Sequence, residues 1–217
     1  MGKLKLPRLK NLSPTLESTM LKLIEESGEL ARSVLAFLAY EHLSPDELSK
    51  DIMGLKTLGE VSGELLDVAQ TCVTMIFVVE DNFQIRMEEL IESHLAKLRD
   101  KGYDYDPTDH YYIISNHNYK YIHLPRLFMK DVTLLKTACK IQEELGEAGQ
   151  FWGKGNAQSG ETNRLPSGEV LRGYCLELLD IAQCCFTMMY ILEQRYNVDL
   201  DRLVAGHIAK LQQKGYC

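Results

Sequence analysis

Glu64-Leu-Leu-Asp-Val-Ala-Gln70 and Glu177-Leu-Leu-Asp-Ile-Ala-Gln183 are one stretch written twice. Each copy follows a Glu-Glu-x-x-Glu cluster: Glu25, Glu26 and Glu29 before the first, Glu143, Glu144 and Glu147 before the second. Residues three or four apart share a helix face, with Cβ atoms about 5–6 Å apart. Glu26 and Glu29 therefore converge, as do Glu64 and Asp67, and two such helices side by side gather four or five carboxylates. Acids in that arrangement form a cage for divalent cations. Finding the arrangement twice points to a duplicated chain and to metal-assisted chemistry on phosphates.

The duplication extends far beyond the motif. Adding 113 to each number carries residues 64–103 onto 177–216 without a gap, and eighteen of the forty positions are identical. The match closes on His94-Leu-Ala-Lys-Leu-Arg-Asp-Lys-Gly-Tyr103 against His207-Ile-Ala-Lys-Leu-Gln-Gln-Lys-Gly-Tyr216. Upstream the offset is 118, pairing Leu6-Pro-Arg-Leu9 with Leu124-Pro-Arg-Leu127 and the first acid cluster with the second. A repeat of roughly 100 residues is a duplicated domain, since solenoid units repeat every 20–50 or so. The organisation read from this is a first repeat over 1–103, a linker over 104–118 and a second repeat over 119–217.

Composition narrows the class. With 217 residues, 45% of them apolar, the chain buries a sizeable core as one large or two intimately packed domains. A net charge of −7 argues against a sequence-independent grip on a nucleic-acid polymer, which needs a basic face. The charge leaves open a small nucleotide whose phosphates a metal neutralises. Cys72, Cys139, Cys175, Cys184, Cys185 and Cys217 form no Cys-x-x-Cys pair, and most sit in apolar helical runs, as thiols of a reducing cytosol do. The basic start is not followed by an apolar signal segment, and Leu6-Pro-Arg-Leu9 recurs inside the chain, so it belongs to the fold. A cytoplasmic location without membrane attachment is expected.

The periodicity is helical almost throughout. Ser13-Pro14 can open a first helix that runs to about residue 42, and Ser44-Pro-Asp-Glu47 reads as a capping box for a short helix ending near Gly54. A long helix is expected over 58–81 and an amphipathic one over 85–100, stopping at Lys101-Gly102. The second half repeats these near 126–152, 168–195 and 198–213. Strand patterning is absent apart from a hint at 111–114. The stretch 65–79 is apolar nearly all round, which makes that helix central, yet neither apolar run reaches the eighteen or so uninterrupted residues of a membrane span.

A Glu-Glu-x-x-Glu run alone is most often a solvated helix face. Glu64 and Asp67 inside an apolar helix are different, because an unpaired buried carboxylate costs several kcal/mol and calls for a cation or a proton. Oxygen ligands without histidine at this spacing favour Mg²⁺ or Mn²⁺ over zinc. The ferritin-like di-iron pattern requires Glu-x-x-His, which neither half contains.

Glu-Glu-x-x-Glu followed by Glu-x-x-Asp on the next long helix resembles the MazG-like proteins of the all-α nucleoside triphosphate pyrophosphohydrolase superfamily, relatives of the dimeric dUTPases and phosphoribosyl-ATP pyrophosphohydrolases. The resemblance covers both halves. It implies an all-α fold in which two MazG-like helical units form an intramolecular pseudo-dimeric helix bundle, as a monomer or a homodimer of such chains. It also implies cleavage of a nucleoside triphosphate between the α- and β-phosphates. Carried over by motif, it makes Glu26, Glu29, Glu64 and Asp67 the Mg²⁺ ligands of one site. Glu144, Glu147, Glu177 and Asp180 are those of the other. Glu25 and Glu143 become helpers that orient or deprotonate water, and Lys97, Lys101, Lys210 and Lys214 contact phosphates. The chain departs from the usual pattern in its long gaps, 34 residues between Glu29 and Glu64 and 29 between Glu147 and Glu177, where base-binding residues often lie. The competing class is a non-catalytic helical module that senses or docks nucleotide or metal.

Other residues are lesser candidates. Trp152 can stack on a base, with Phe37 or Tyr40 as first-half candidates, though helix-end packing explains all three. The glycine-rich stretch 153–160 lacks the Gly-Lys-(Ser/Thr) ending of a P-loop and reads as a lid from which Lys154 or Arg164 reaches substrate. His94 and His207 occupy equivalent positions and suit a structural hydrogen bond better than phosphate contact. Cys184 and Cys185 read as core.

Overall fold

The computed structural model describes residues 3–156 and 167–217. Seven α-helices and three short strands appear among them: β1 (Leu4–Pro7), α1 (Leu16–Phe37), α2 (Pro45–Leu48), α3 (Ile52–Phe83), α4 (Ile91–Asp100), β2 (Tyr112–Ser115), β3 (Tyr119–His123), α5 (Leu134–Asn156), α6 (Ser167–Tyr196) and α7 (Leu200–Gln213). The mostly helical character expected from the sequence is present. Helix α1 packs along α3 and α5 along α6, while α1 meets α5 and α3 meets α6. One continuous apolar cluster joins all four.

Local chemistry sets most boundaries. Helix α1 begins at Leu16, not at Pro14, because Thr15 and Ser18 cap each other. The Ser18 N–H donates to Thr15 Oγ1 at 3.1 Å and the Thr15 N–H to Ser18 Oγ at 2.9 Å. The helix ends at Phe37, short of residue 42, and turns lead into α2. The Ser44 capping box is present, but α2 stops at Leu48. Asp51 then starts α3 at Ile52 by accepting from the Gly54 N–H at 2.8 Å, six residues ahead of the expected start. A 3-10 turn, Met87–Leu90, precedes α4. Helix α5 starts eight residues later than expected and extends through Gly153 to Asn156, so the first part of the supposed lid is helix. Residues 157–166, including Arg164 and the rest of that stretch, lie outside the described residues.

The sheet was not expected. Its order is β1-β3-β2, antiparallel throughout, with Leu4 opposite Ile122 and Ser115 opposite Lys120. The stretch 104–118 is therefore more than a surface linker, since it contributes β2, and its Ile113 is fully buried. Asn116 builds the β2–β3 turn by accepting with Oδ1 from the N–H groups of Asn118 and Tyr119. On β3 the inward positions include Lys120, whose side chain is 0% exposed and pairs with Glu80 of α3 and with Ser115. That ion pair clamps the sheet to the end of α3.

Helices α3 and α6 are long and apolar enough to cross a membrane by length and composition, although acidic and amide side chains interrupt both runs. In the fold, 83% of each apolar window is buried against other parts of the chain, which accounts for the apolar composition. Both are anchored to the segments beside the sheet in the same manner. Gln70 of α3 donates from Nε2 to the Pro7 carbonyl at 2.9 Å, and Gln183 of α6 to the Pro125 carbonyl at 2.8 Å. Arg8 pairs with Asp81 at 2.7 Å and lies over the Phe77 ring, while Arg126 donates to Gln194 at 2.6 Å and lies over Tyr190.

Candidate metal centre

The α1–α3 packing brings Glu26, Glu64 and Asp67 together, with one oxygen of each within 4.8 Å of the others. On α5 and α6, Glu144, Glu147 and Glu177 converge to the same tolerance. The two gatherings differ in depth. Glu64 and Asp67 are half-buried, not the core acids expected, whereas Glu177 and Asp180 are 6% and 5% exposed and Glu144 is 1% exposed. Glu29 lies near Glu64 without joining the first trio, and Asp180 stands aside from the second.

Counter-charge arrives from a distant helix in each case. Lys97 of α4 places its Nζ 2.6 Å from Asp180 and 2.9 Å from Glu177 on α6. His94, one turn earlier, brings Nδ1 within 3.0 Å of Asp180 Oδ1. Lys101 follows at 3.5 Å from Asp180 and 3.8 Å from Glu144. Lys210 of α7 reaches Asp67 on α3 at 2.7 Å, and His207 approaches the same carboxylate at 3.6 Å. Within the acid helices, Lys22 pairs with Glu25 and Glu26, and Lys140 with Glu143 and Glu144.

Proton affinities follow from this layout. Burial raises Asp180, but His94 and Lys97 outweigh it and hold the carboxyl down to about 2. Burial pushes Glu177 up to about 7 against the pull of Lys97, with neighbouring Glu144 and Asp180 adding to the rise. Glu64 is raised by burial and then by Glu29, Asp67 and Glu26, with distant Lys210 only partly opposing. Lys97 is raised because its two carboxylates overcome the cost of burial. Burial lowers His207, which favours its neutral form.

A divalent cation suits these donors. They are hard carboxylate oxygens, gathered closely, and Glu144 Oε2 is buried without a hydrogen-bond partner. Glu26, Glu64 and Asp67 would hold it in one place and Glu144, Glu147 and Glu177 in the other, with Glu29 and Asp180 at hand.

The remaining candidates fall unevenly. Glu25 and Glu143 point outward, with side chains 58% and 57% exposed, each paired with the lysine three residues before it. They stand outside both trios. Trp152 and Phe37 pack in or against the core, where helix-end packing explains them. Lys154 is half-buried near the end of α5 and Lys214 is exposed beyond α7. The sequence reading missed Lys22 and Lys140 as acid partners, although the i, i+3 and i, i+4 spacing to Glu25/Glu26 and Glu143/Glu144 signals both. It also missed Gln70 and Gln183 as anchors, a role that their burial in apolar helices could have suggested.

No protein-family model matches the chain, and no curated protein or solved structure matches it either.

Proposed function

We propose that the protein is a Mg²⁺-dependent pyrophosphohydrolase of nucleoside triphosphates, yielding the monophosphate and pyrophosphate, and that its two halves form an internal pseudo-dimer. The observation that carries this reading is the pairing of each acid cluster with basic side chains from the repeat that does not supply it. Lys97 and His94 belong to the first repeat and face Asp180, while Lys210 and His207 belong to the second and face Asp67. Such reciprocity is what an approximate two-fold axis between duplicated units produces.

When bound, the metal supplies charge neutralisation of phosphate oxygens and acidification of a coordinated water. The carboxylates orient that ion. Burial and neighbouring carboxylates raise the proton affinity of Glu64 and Glu177, so a cation would compete with protons for both clusters. Lys97 and Lys210 stand beside the acids, able to shift from carboxylate to phosphate and stabilise developing charge. The outward geometry of Glu25 and Glu143 gives them no part in this scheme.

The test is pyrophosphate release from a panel of ribo- and deoxyribonucleoside triphosphates with and without Mg²⁺. Turnover that needs the metal and falls at least a hundredfold in Asp67→Ala or Asp180→Ala supports the reading. No metal-dependent turnover on any member overturns it in favour of a binding module. Comparing the two variants also tells which half carries catalysis.

A further inference from the structure

Helix α1 turns a second face outward, on the side roughly opposite Glu26. Leu21, Ile24, Gly28, Ala31 and Leu35 follow one another at alternating spacings of three and four, the repeat that keeps a seam facing another helix. The large residues of this seam are open to solvent, with Leu21 62%, Ile24 49% and Leu35 58% exposed. Between them lie Gly28, exposed, and Ala31, half-buried. A Cβ built at Gly28 meets nothing within 4 Å, so none of the described residues requires glycine there, and glycine weakens a helix. A small residue on an open face suits close approach from outside.

Helices α1 and α5 lie side by side as one layer, with α3 and α6 behind them. Gln142 Nε2 of α5 donates to the Ser27 carbonyl of α1 at 2.9 Å. At the repeat offset of 118 the seam corresponds to Cys139, Gln142, Gly146, Gly149 and Gly153. All five are small or polar, so the large knobs belong to α1 and stand beside a shallow strip on α5. Helices of 22 and 23 residues are about 33 Å long and about 10 Å across, and together they present roughly 650 Å² to a flat partner. Two such faces bury roughly 1,300 Å², which reaches the range of specific interfaces.

We propose that this face binds a second copy of the chain, through antiparallel α1 helices related by a two-fold axis close to residue 26. In that register Leu21 meets the partner's Ala31 and Ile24 meets the partner's Gly28. Each contact is made twice, as an isologous interface requires. Large side chains then fill the places that small ones leave on both copies. A parallel pair would set Gly28 against the partner's Gly28 and leave a void. Charge agrees with the antiparallel register, because Glu25 and Arg32 flank the seam on one side and each comes alongside the opposite charge of the partner. Both side chains are open, 58% and 73% exposed, and they are held only by neighbours on their own helix, Lys22 at 3.0 Å and Glu29 at 3.7 Å. Such solvent-screened contacts exchange at little cost. The pairing does not depend on what the acid clusters do.

Sedimentation velocity of the whole chain at micromolar concentration tests it. The 24.8 kDa chain should sediment with twice that mass. Gly28→Leu separates this interface from any other. In a single copy the new side chain enters open space, so the variant should keep its helical content by circular dichroism. In the pair it collides with the partner's Ile24, and the dissociation constant should rise roughly tenfold or more. Arg32→Glu should weaken pairing roughly threefold or more, and adding Glu25→Arg to it should restore the affinity, which a change acting through folding alone would not do. The mass of one copy at every concentration, unaltered pairing in Gly28→Leu, or a charge exchange that restores nothing would overturn the proposal and leave the face to a different partner.

Discussion

Lys97→Ala and Lys210→Ala alter positions that match in sequence at an offset of 113, yet they should differ severalfold in cost. Lys97 is 26% exposed and bridges two carboxylates that are 8% and 6% exposed. Removing one partner of a buried ion pair costs about 3–5 kcal/mol, because the other charge is stranded. Two features reduce that figure: Lys101 remains 3.5 Å from Asp180, and Glu177 can take a proton at about pH 7. A net loss of about 2 kcal/mol remains after that relief. Lys210 is 48% exposed and its partner Asp67 is 20% exposed, so water replaces the lysine readily. Solvent-screened pairs contribute about 0.2–1 kcal/mol, and the loss should fall in that range. Urea unfolding followed by circular dichroism at pH 8 in EDTA reads both differences from the transition midpoints. Equal losses, or a larger one for Lys210→Ala, would refute the assignment of unequal burial to the two acid sets.

Mg²⁺ should raise the melting midpoint above that in EDTA. A site held at a hundred times its dissociation constant contributes about 2.7 kcal/mol, and Asp67→Asn combined with Glu177→Gln should abolish the shift while keeping helical content. Glu177 has a folded pKa of about 7 against 4.5, so its contribution is fully present below about pH 4.5 and lost as pH rises through 7. In metal-free protein, Glu177→Gln should flatten that part of the stability profile, and an unaltered slope counts against the raised pKa. Thiol titration of the native protein should modify exposed Cys139 within minutes and leave Cys72, Cys175 and Cys185 untouched until denaturant is added. Prompt labelling of those three would contradict their burial. Lys120→Met strands Glu80, which is 20% exposed, and should cost about 2 kcal/mol by chemical denaturation; a neutral outcome would mean the clamp contributes nothing.

What was legible in the sequence was whatever depends on neighbours along the chain. The acid spacing placed Glu64 and Asp67 on one face, and Ser44 with Glu47 marked a cap that is present. Gly54, Gly59 and Gly63 obscured the start of α3, because glycine weakens a helix by about 1 kcal/mol where packing does not decide; here Asp51 caps the helix and α1 packs along it. The sheet was hidden for another reason. An inward lysine at position 120 breaks the polar-apolar alternation of β3, and only the tertiary partner Glu80 makes it tolerable. The same holds at the site. The family resemblance suggested Lys97 and Lys210 as phosphate contacts, but their placement beside Asp180 and Asp67 on distant helices is a property of assembly. Unequal burial of the two acid sets likewise arises from packing, since the motifs are nearly identical.

Strand β1 has a consequence for how the protein is made. Its residues leave the ribosome before their partners at Tyr119–His123, which follow more than a hundred residues later, and the Tyr216 carbonyl that holds Lys10 follows later still. At about 5–20 residues per second, the nascent chain carries an unpaired strand for many seconds. Pairing across so wide a sequence separation also slows the closing step after release. Helices α1 and α3 can associate early, yet the hem that joins them to the rest is sewn only once residues 119–123 and then 216 have emerged. A ribosome-bound chain ending before residue 119 should therefore be the species most in need of chaperone protection.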